Sequence, residues 1–353
     1  MLDKTIREIF DSLKSIKSFF DDHDAKSVLW DLRTTAAYSI FRAFNKHRFS
    51  LKPVEPHIVL ADLMGVNKYL VTSLNTYSKI KAIEVAESAI SQPQREGERM
   101  QYLYGIAWSQ LSKHEYFDAA GLLSQRLINS NISGDFLNGA CCLDMATGIA
   151  RWALAMVQLG ASKVIGVDFS KDCLKEAHCR LNGLDEEKKI ELKHADLYKL
   201  PASFDSQFDF VCANGVIHHL PDPKGALEIM GRCTKKGGNA FLFVFSKNEA
   251  PWWAAIELMR ELTAPVPISY AKSILESFEV SGTQMFNMLD YSYTPIQHKF
   301  ERDWVEETLR EVGFSGVKYL DDGAIHDSVL RCRLFNNDKL IYGVSEIRYL
   351  LKK

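Results

Sequence analysis

Residues 143–156 read LDMATGIARWALAM, and residues 163–170, which follow closely, read KVIGVDFS. An apolar strand is predicted to end at Asp144, small residues (Ala146, Gly148 and Ala150) then form a tight turn, and a helix begins at once. Small residues let a ligand approach the backbone, and the free N–H groups at a helix start supply hydrogen-bond donors. The second strand is predicted to end at Asp168, where a carboxylate can accept both hydroxyls of a ribose.

Around this stretch, short apolar runs rich in β-branched residues alternate with helical patterns. The strand candidates are CCLDM, KVIGVD, IELKHA, FDFVCAN and NAFLFVF, and the helix candidates are ARWALAMVQLG, KDCLKEAHCRLNG and PKGALEIMGRCTKK. Regular β-then-α alternation predicts a doubly wound α/β fold, a mostly parallel sheet with helices on both faces. Ligands of such folds bind at the carboxyl ends of the strands.

The flanking sequence predicts a second, all-helical domain. Apolar residues recur at three- and four-residue spacing through residues 1–134, as in the first helix. We predict a helical N-terminal domain over 1–110 and an α/β domain over 111–353, in which residues 247–300 form an acceptor-side insertion. ERDWVEETLREVGF predicts an amphipathic helix, and VKYLDD and SVLRCRLF predict a terminal pair of strands. The apolar stripe of the first helix comprises Leu2, Ile6, Ile9, Phe10, Leu13, Ile16 and Phe20.

Composition narrows the class of protein. The chain of 353 residues is 46% hydrophobic and 25% charged, and it holds no run of 18 apolar residues that could cross a bilayer. Its net charge of −2 provides no basic field for nucleic acid or anionic membranes. The seven cysteines show no paired spacing, and the N-terminus does not resemble a secretory signal. We expect a cytoplasmic protein with reduced thiols and with no nucleic-acid or membrane partner.

A third acidic strand end strengthens the pattern. IELKHADLYKLP places Asp196 at the end of the third strand, where a carboxylate can accept the amino group of adenine. Three acidic strand ends in order are more specific than one glycine loop. A metal site at His218 and His219 is not predicted, because no further ligand follows at a useful spacing.

These motifs together resemble the class I S-adenosylmethionine-dependent methyltransferase family, especially small-molecule members with a G-V-x-H-H-x-x-D-P segment, here residues 215–223. The resemblance covers roughly residues 116–314 and implies a seven-stranded, Rossmann-like sheet, S-adenosylmethionine as cofactor, and methyl transfer to an O, N or C atom of a small-molecule acceptor. It implies that Asp144, Ala146 and Gly148 surround the methionine part of the cofactor, and that Asp168 binds the ribose. It places Phe169 beside the adenine, and Asp196 and Leu197 at the adenine edge. It also places Asn214 and Gly215 under the sulfonium, and Tyr116 and Phe117 on the helix that closes over the cofactor.

The loop departs from the family pattern D-x-G-x-G-x-G, because only the central glycine is kept. Ala146 and Ala150 each add a methyl group and disfavour positive φ, so we expect a loop that is slightly wider or differently turned. Since Ala150 begins a helix, restoring glycine at both sites would cost up to about 1 kcal/mol of fold stability. One alternative is therefore a relative of the family that binds a ligand at this loop but does not catalyse methyl transfer.

The acceptor side is predicted from histidines and aromatic residues. His218 is either the general base for an O or N acceptor or a residue that positions the loop, and the sequence leaves both interpretations open. The aromatic-rich segment after Phe245 is typical of added core helices, but the family builds its acceptor pocket there. The acceptor-side candidates are His219, Trp252, Tyr291, Tyr293 and His298.

Two further alternatives remain. The interleaved acidic residues of the first helix disfavour a membrane surface, so the N-terminal helices are predicted to form a homodimer interface or a lid. A nicotinamide-dependent dehydrogenase is the rival enzyme class, because Gly148-x-Ala150-x-x-Ala153 resembles a degraded dinucleotide loop. Its Tyr-x-x-x-Lys motif would have to be Tyr77 with Lys81 or Tyr349 with Lys353.

Overall fold

The structure is a computed structural model that describes residues 2–21, 30–46, 48, 52–77, 96–133 and 135–353. The chain divides into two compact units. The helical unit takes the described residues between Met1 and Arg95 together with Asn248–Thr294 and Arg331–Gly343. The sheet unit takes Glu96–Lys247, Pro295–Leu330 and Val344–Lys353.

A seven-stranded, mostly parallel sheet organises the sheet unit. Its strands are β1 (Cys141–Met145), β2 (Lys163–Asp168), β3 (Ile190–His194), β4 (Phe208–Asn214), β5 (Thr234–Phe245), β6 (Gly316–Tyr319) and β7 (Glu346–Lys352), in the spatial order β3-β2-β1-β4-β5-β7-β6. The first five strands pair in parallel, and β7 runs antiparallel to both β5 and β6. The carboxyl ends of β1, β2 and β4 therefore meet at one edge, as the alternating pattern predicts.

Helices connect these strands and begin at residues that suit helix starts. Helix α7 (Lys171–Leu181) is capped by the Ser170 hydroxyl, and α8 (Pro223–Cys233) by the Asp222 carboxylate with Pro223 in its first turn. The connecting helices are α6 (Arg151–Gln158), α7, α8 and α12 (Arg302–Glu311). Helices α4 (Glu96–Trp108) and α5 (Lys113–Asn129) also belong to the sheet unit.

The buried faces of the strands supply the core of the sheet unit. Val211 of β4, Leu242 of β5 and Tyr349 of β7 are fully inaccessible to solvent, and apolar residues of α8 and α12 pack on the same cluster. Burial of this kind stabilises a domain by about 25 cal/mol for each Å² of apolar surface removed from water. The core therefore fixes the strand ends that carry the candidate site.

The helical unit is built from α1 (Leu2–Asp21), α2 (Trp30–Asn45), α3 (Pro56–Tyr77), α9 (Pro251–Thr263), α10 (Ile268–Ser277), α11 (Gly282–Tyr293) and α14 (Asn336–Tyr342). Ile9, Leu13, Ile16 and Phe20 of the α1 stripe are buried, and α1 packs on α3 and α9. These four residues of the stripe thus belong to the core of the helical unit. No described helix is long and apolar enough to cross a membrane.

Most of the predicted elements are confirmed, and one is wrong. All five strand candidates and all the helix candidates between them are present. VKYLDD contains β6, but SVLRCRLF forms helix α13 (Ser328–Leu334), and the last strand is instead EIRYLLK. The predicted division near residue 110 stays a prediction, although compactness groups α4 with the sheet and residues 248–294 with the N-terminal helices.

Candidate functional site

The turn between β1 and α6 keeps a glycine-type backbone although two of its three small residues are alanines. Ala146, Gly148 and Ala150 have φ angles of 52°, 55° and 62°. These angles lie in the left-handed region, which costs a residue with a Cβ roughly 1–2 kcal/mol. The expected change of loop conformation is therefore not observed: the alanines adopt the strained angles instead of opening the turn.

Two aspartates hold this turn. Asp168, at the end of β2, accepts hydrogen bonds from the Gly148 and Ser170 N–H groups, both at 2.8 Å. Asp144, in β1, accepts a hydrogen bond of 2.6 Å from the Thr147 hydroxyl. Both carboxylates are almost completely buried. Each oxygen of Asp168 carries a second lone pair, so a ribose hydroxyl can still donate to it.

The electrostatics of Asp144 are unusual for a carboxylate. Burial raises its pKa to about 7, while the hydrogen bond from Thr147 opposes this shift. Its Oδ1 atom is buried and has no hydrogen-bond partner among the described residues. Burial also raises the pKa of Asp168, against the two backbone donors. An unpaired buried carboxylate oxygen is stabilised by a cation or a donor brought by a ligand.

Two aromatic residues lie over the turn. The Tyr116 hydroxyl, on α5, donates to the Ile149 carbonyl at 3.2 Å, and the Phe117 ring packs edge-on against Tyr116. Trp108, at the end of α4, was not predicted: its Nε1 lies 3.3 Å from where a Cβ on Gly148 would stand. The Arg151 guanidinium stacks on the Trp108 ring at 4.4 Å. The apolar stripe of α4 carries no signal for this contact, because it joins residues 40 positions apart.

The predicted adenine side contains one buried and one exposed residue. The Phe169 carbonyl accepts from the Gln101 amide at 3.2 Å and lies 3.0 Å from the His194 ring nitrogen. Leu197 is buried in the core of the sheet unit. Asp196 is exposed, and its carboxylate accepts from the Tyr198 N–H at 3.0 Å. The Asp196 carboxylate therefore caps a short turn and is open to solvent at the strand end.

The end of β4 brings Asn214 and Gly215 beside β5. Gly215 has a φ of 78°, and its N–H donates to the Phe243 carbonyl at 3.3 Å. A Cβ there would lie 3.6 Å from the Phe243 ring. The Asn214 side-chain oxygen is buried and finds no donor within the described part of the chain. This strand end thus offers a close backbone approach and an unused acceptor.

Three histidines fasten the segment after β4 to the segment before α12. His219 Nδ1 donates to the Ile296 carbonyl at 2.9 Å, and His298 Nε2 donates to the Leu220 carbonyl at 3.1 Å. The His298 N–H donates to the His218 carbonyl at 2.8 Å. Because carbonyls only accept, His219 and His298 are held by their ring N–H groups. The side chains of His219 and His298, both acceptor-side candidates, therefore hold these two backbone segments together.

His218 itself lies in an apolar setting. Its ring stacks on Phe245 with centroids 3.8 Å apart, and its Nδ1 is buried with no partner among the described residues. Burial, with help from the neighbouring His219 and His298, lowers its pKa well below the usual histidine value. A ring that stays neutral at physiological pH is a weak base. These features favour positioning over general-base catalysis.

The remaining acceptor-side candidates lie in the helical unit. Trp252 is completely buried, and its ring packs edge-on against Tyr291 at 5.4 Å between centroids. The Tyr293 hydroxyl is buried, has no partner in the described ranges, and has a pKa raised by burial. The backbone carbonyl of Tyr291 accepts from Arg260 at 3.2 Å. Trp252 is a core residue of its unit.

The one dehydrogenase motif that lies wholly in the described residues, Tyr349 with Lys353, does not fit the strand ends. Tyr349 donates to Glu306 at 3.3 Å from within β7, and Lys353 donates to the Val312 carbonyl at 2.7 Å. Lys81, the partner of Tyr77, lies outside the described residues. Tyr349 and Lys353 therefore do not place a tyrosine and a lysine beside the turn at Gly148. Within the described ranges, no group of three or more His, Cys, Asp or Glu residues could hold a metal ion.

Comparison with known proteins identifies the central region. The family described as "Methyltransferase domain" matches residues 143–242. The ubiquinone biosynthesis O-methyltransferase of Dictyostelium discoideum is 24% identical over 45% of this chain and 54% of its own length. The demethylmenaquinone methyltransferase of Clavibacter sepedonicus is 27% identical over 51% of this chain and 68% of its own length. A crystal structure of a SAM-dependent methyltransferase from Thermotoga maritima is 14% identical, with a TM-score of 0.44, over 72% of this chain and 99% of that chain.

The chain thus spans about half the length of the first of these relatives. The family match begins in β1 and ends in β5, so it contains the turn, the acidic ends of β1 and β2, and the end of β4. Residues 143–242 therefore match a methyltransferase domain, which is less than half of the chain.

Proposed function

We propose that this chain transfers the methyl group of S-adenosylmethionine to a small-molecule acceptor. The observation that carries the proposal is the turn at Ala146, Gly148 and Ala150, which keeps three left-handed residues and is held to the acidic end of β2. Alanines that keep strained, positive φ angles are typical of functional sites, where the strained backbone lets a ligand approach closely.

The side chains at the strand ends fit the cofactor. The unpaired buried oxygen of Asp144 suits its cationic methionine part, Asp168 suits the ribose hydroxyls, and Phe169, Asp196 and Leu197 suit the adenine. Asn214 and Gly215 would lie beneath the sulfonium, with Tyr116 and Phe117 closing the site. When bound, the cofactor supplies an activated methyl group with a good leaving group. The protein's part is to align the acceptor in line with it.

We propose a hydroxyl oxygen as the acceptor atom. Among the relatives, the protein from Dictyostelium discoideum is named an O-methyltransferase of ubiquinone biosynthesis. The proton of the hydroxyl then leaves to solvent or to a neighbouring group, since the neutral, buried His218 is poorly suited to take it. In this proposal His218, His219 and His298 shape the acceptor wall.

Isothermal titration calorimetry with S-adenosylmethionine and with NAD tests the proposal. We expect S-adenosylmethionine to bind and NAD to show no heat, with Gly148→Val as the variant that blocks the turn. Gly183→Val is the matched control, because Gly183 also has a positive φ (81°) but has open space around it. NAD binding would favour the dehydrogenase class. Methyl transfer is then assayed by the release of S-adenosylhomocysteine with a panel of phenols.

A non-catalytic binding scaffold is the second candidate. The Trp108 ring lies over Gly148, and both oxygens of Asp168 already accept backbone N–H groups. A protein with this closed arrangement binds cofactor slowly or only with a partner. Cofactor binding without release of S-adenosylhomocysteine across the acceptor panel would favour the scaffold.

We propose a homodimer through the N-terminal helices, at a different surface from the one that the sequence suggests. Ile9, Leu13, Ile16 and Phe20 of the α1 stripe are buried, whereas Met64 and Val71, two helical turns apart on α3, are 59% and 57% exposed. Exposed apolar side chains on one helix are a common interface feature. Sedimentation equilibrium of the chain and of Met64→Lys should show a dimer that the substitution weakens.

A further inference from the structure

A buried group of charged residues lies on the sheet next to the candidate site, and the function proposed above leaves it unused. Its members are Arg126 on α5, Asp327 in the segment before α13, and Glu346 and Arg348 on β7, and they belong to the sheet unit. Asp327 and Arg348 are each 1% exposed. Charges this deeply buried are normally paired on every polar atom.

The two carboxylates of this group are fully engaged. Both Asp327 oxygens accept from the Arg126 guanidinium, at 2.9 and 3.0 Å, and Arg348 Nη2 approaches one of them at 2.7 Å. Glu346 Oε2 accepts from the Ser345 hydroxyl at 2.6 Å, and its Oε1 accepts from the Ser328 N–H. Although burial opposes it, Arg126 and Arg348 hold the pKa of Asp327 below its usual range. Asp327 therefore stays ionised, and the oxygens of both carboxylates already have donors.

Arg348 is left with unused donors. Its Nη2 atom serves Asp327 and Glu346, but its Nε and Nη1 atoms are buried and have no acceptor among the described residues. These two atoms carry three N–H groups. Each buried donor without an acceptor destabilises the fold, because it has lost its hydrogen bonds to water. An oxyanion brought by a ligand would relieve this cost.

The location of Arg348 connects it with the methyl-transfer edge. Arg348 stands directly opposite Phe243 in the β5–β7 register, and its Cζ atom lies 4.9 Å from the centre of the Phe243 ring. The Arg126 guanidinium lies 5.8 Å from the same ring. Phe243 is half-buried and is the residue that a Cβ on Gly215 would contact. Two guanidinium groups therefore lie close to the ring that borders the end of β4.

We infer that Arg348 determines acceptor specificity by receiving the carboxylate of an anionic aromatic methyl acceptor, whose ring packs on Phe243. Arg126 does not receive the ligand itself; it shares Asp327 with Arg348 Nη2, and the Nε and Nη1 donors of Arg348 remain for the ligand. Guanidinium groups bind carboxylates through charge-assisted hydrogen bonds, and the Phe243 face provides the apolar wall for the attached ring. The inference rests on the proposed function only in calling this ligand the methyl acceptor.

Benzoate and benzamide are suitable probes because they share a shape and differ in charge. Binding of each to the full chain, saturated with S-adenosylhomocysteine, is measured by NMR titration of ¹⁵N-arginine-labelled protein. We expect benzoate to bind about tenfold or more tightly than benzamide and to shift the Arg348 Nε–H signal. Equal binding of the two probes, or an unshifted Arg348 signal, would overturn the inference.

Variants separate Arg348 from general charge effects. Arg348→Gln should lower benzoate affinity about tenfold or more, Arg348→Lys should lower it less, and Arg232→Gln, which removes a half-exposed guanidinium paired with Asp205, should leave it unchanged. If the Arg348 variants do not fold, the wild-type comparison still decides. A chain that discriminates benzoate but does not bind S-adenosylmethionine would contradict the proposed function alone, and the reverse result would contradict this inference alone.

Discussion

Replacing Ala146 and Ala150 by glycine tests whether the turn is strained. Both alanines hold positive φ angles, 52° and 62°. Release of this strain is worth roughly 1–2 kcal/mol at each site, while the greater freedom of glycine in the unfolded chain costs roughly 0.4–1 kcal/mol. The double variant should therefore be more stable by about 1–2 kcal/mol. This sign is opposite to the expectation from sequence, because Ala150 precedes the first helical turn in a left-handed conformation.

The measurement is the midpoint of thermal unfolding, which rises by roughly 2–4 °C for each kcal/mol in domains of 150–250 residues. Ala119→Gly is the matched control, because Ala119 lies within α5 at an ordinary helical position. The control should lose about 1 kcal/mol. If the double variant loses stability as the control does, the strain argument is wrong. The affinity of the double variant for S-adenosylmethionine should be unchanged or improved. A complete loss of binding would refute the cofactor placement.

Three further predictions concern the acidic strand ends and the buried histidine. Asp168→Ala should weaken S-adenosylmethionine binding by about 10- to 100-fold in calorimetry, and Asp196→Ala, at an exposed carboxylate, by much less; an unchanged affinity in folded Asp168→Ala would remove the ribose assignment. Because the pKa of Asp144 is raised to about 7 and a cationic cofactor favours its ionised form, affinity should fall about tenfold from pH 8 to pH 6, and Asp144→Asn should abolish this dependence. His218→Asn should keep most of kcat, and no loss of rate near pH 6.5 should arise from His218, whose pKa lies well below that value; a thousandfold lower kcat with intact cofactor binding would show that His218 is the base.

Local sequence patterns predict the parallel part of the sheet because each of its strands is a short, buried apolar run. The last strand is not predicted by such patterns, because EIRYLLK is a buried strand that carries two charged residues, Glu346 and Arg348. Those charges are tolerated only because Asp327, Ser328 and Ser345 pair with them, and no short window shows such partners. SVLRCRLF has the opposite problem, because its alternating apolar residues suggest a strand although the segment is helical.

Some residues of the candidate site can also be predicted from sequence, and others cannot. The acids at the ends of β1 and β2 can be located from sequence, because a strand end followed by small residues and a helix is a local pattern. The position of Trp108 over Gly148 and the hydrogen bonds of His219 and His298 depend on packing between distant segments. The left-handed angles of Ala146 and Ala150 also escape prediction, since alanine rarely adopts them.

The hydrogen bonds that join residues 218–220 to residues 296–298 have a consequence for the thermodynamics of binding. A loop that orders only when its ligand arrives loses roughly 0.5–1.5 kcal/mol for each side chain that becomes fixed. Here His219 and His298 are fixed beforehand by carbonyl groups of the opposite segment. In the acceptor site that we propose, the hydrogen bonds of His219 and His298 would therefore lower the entropic penalty of binding, because this part of the wall is ordered before an acceptor arrives.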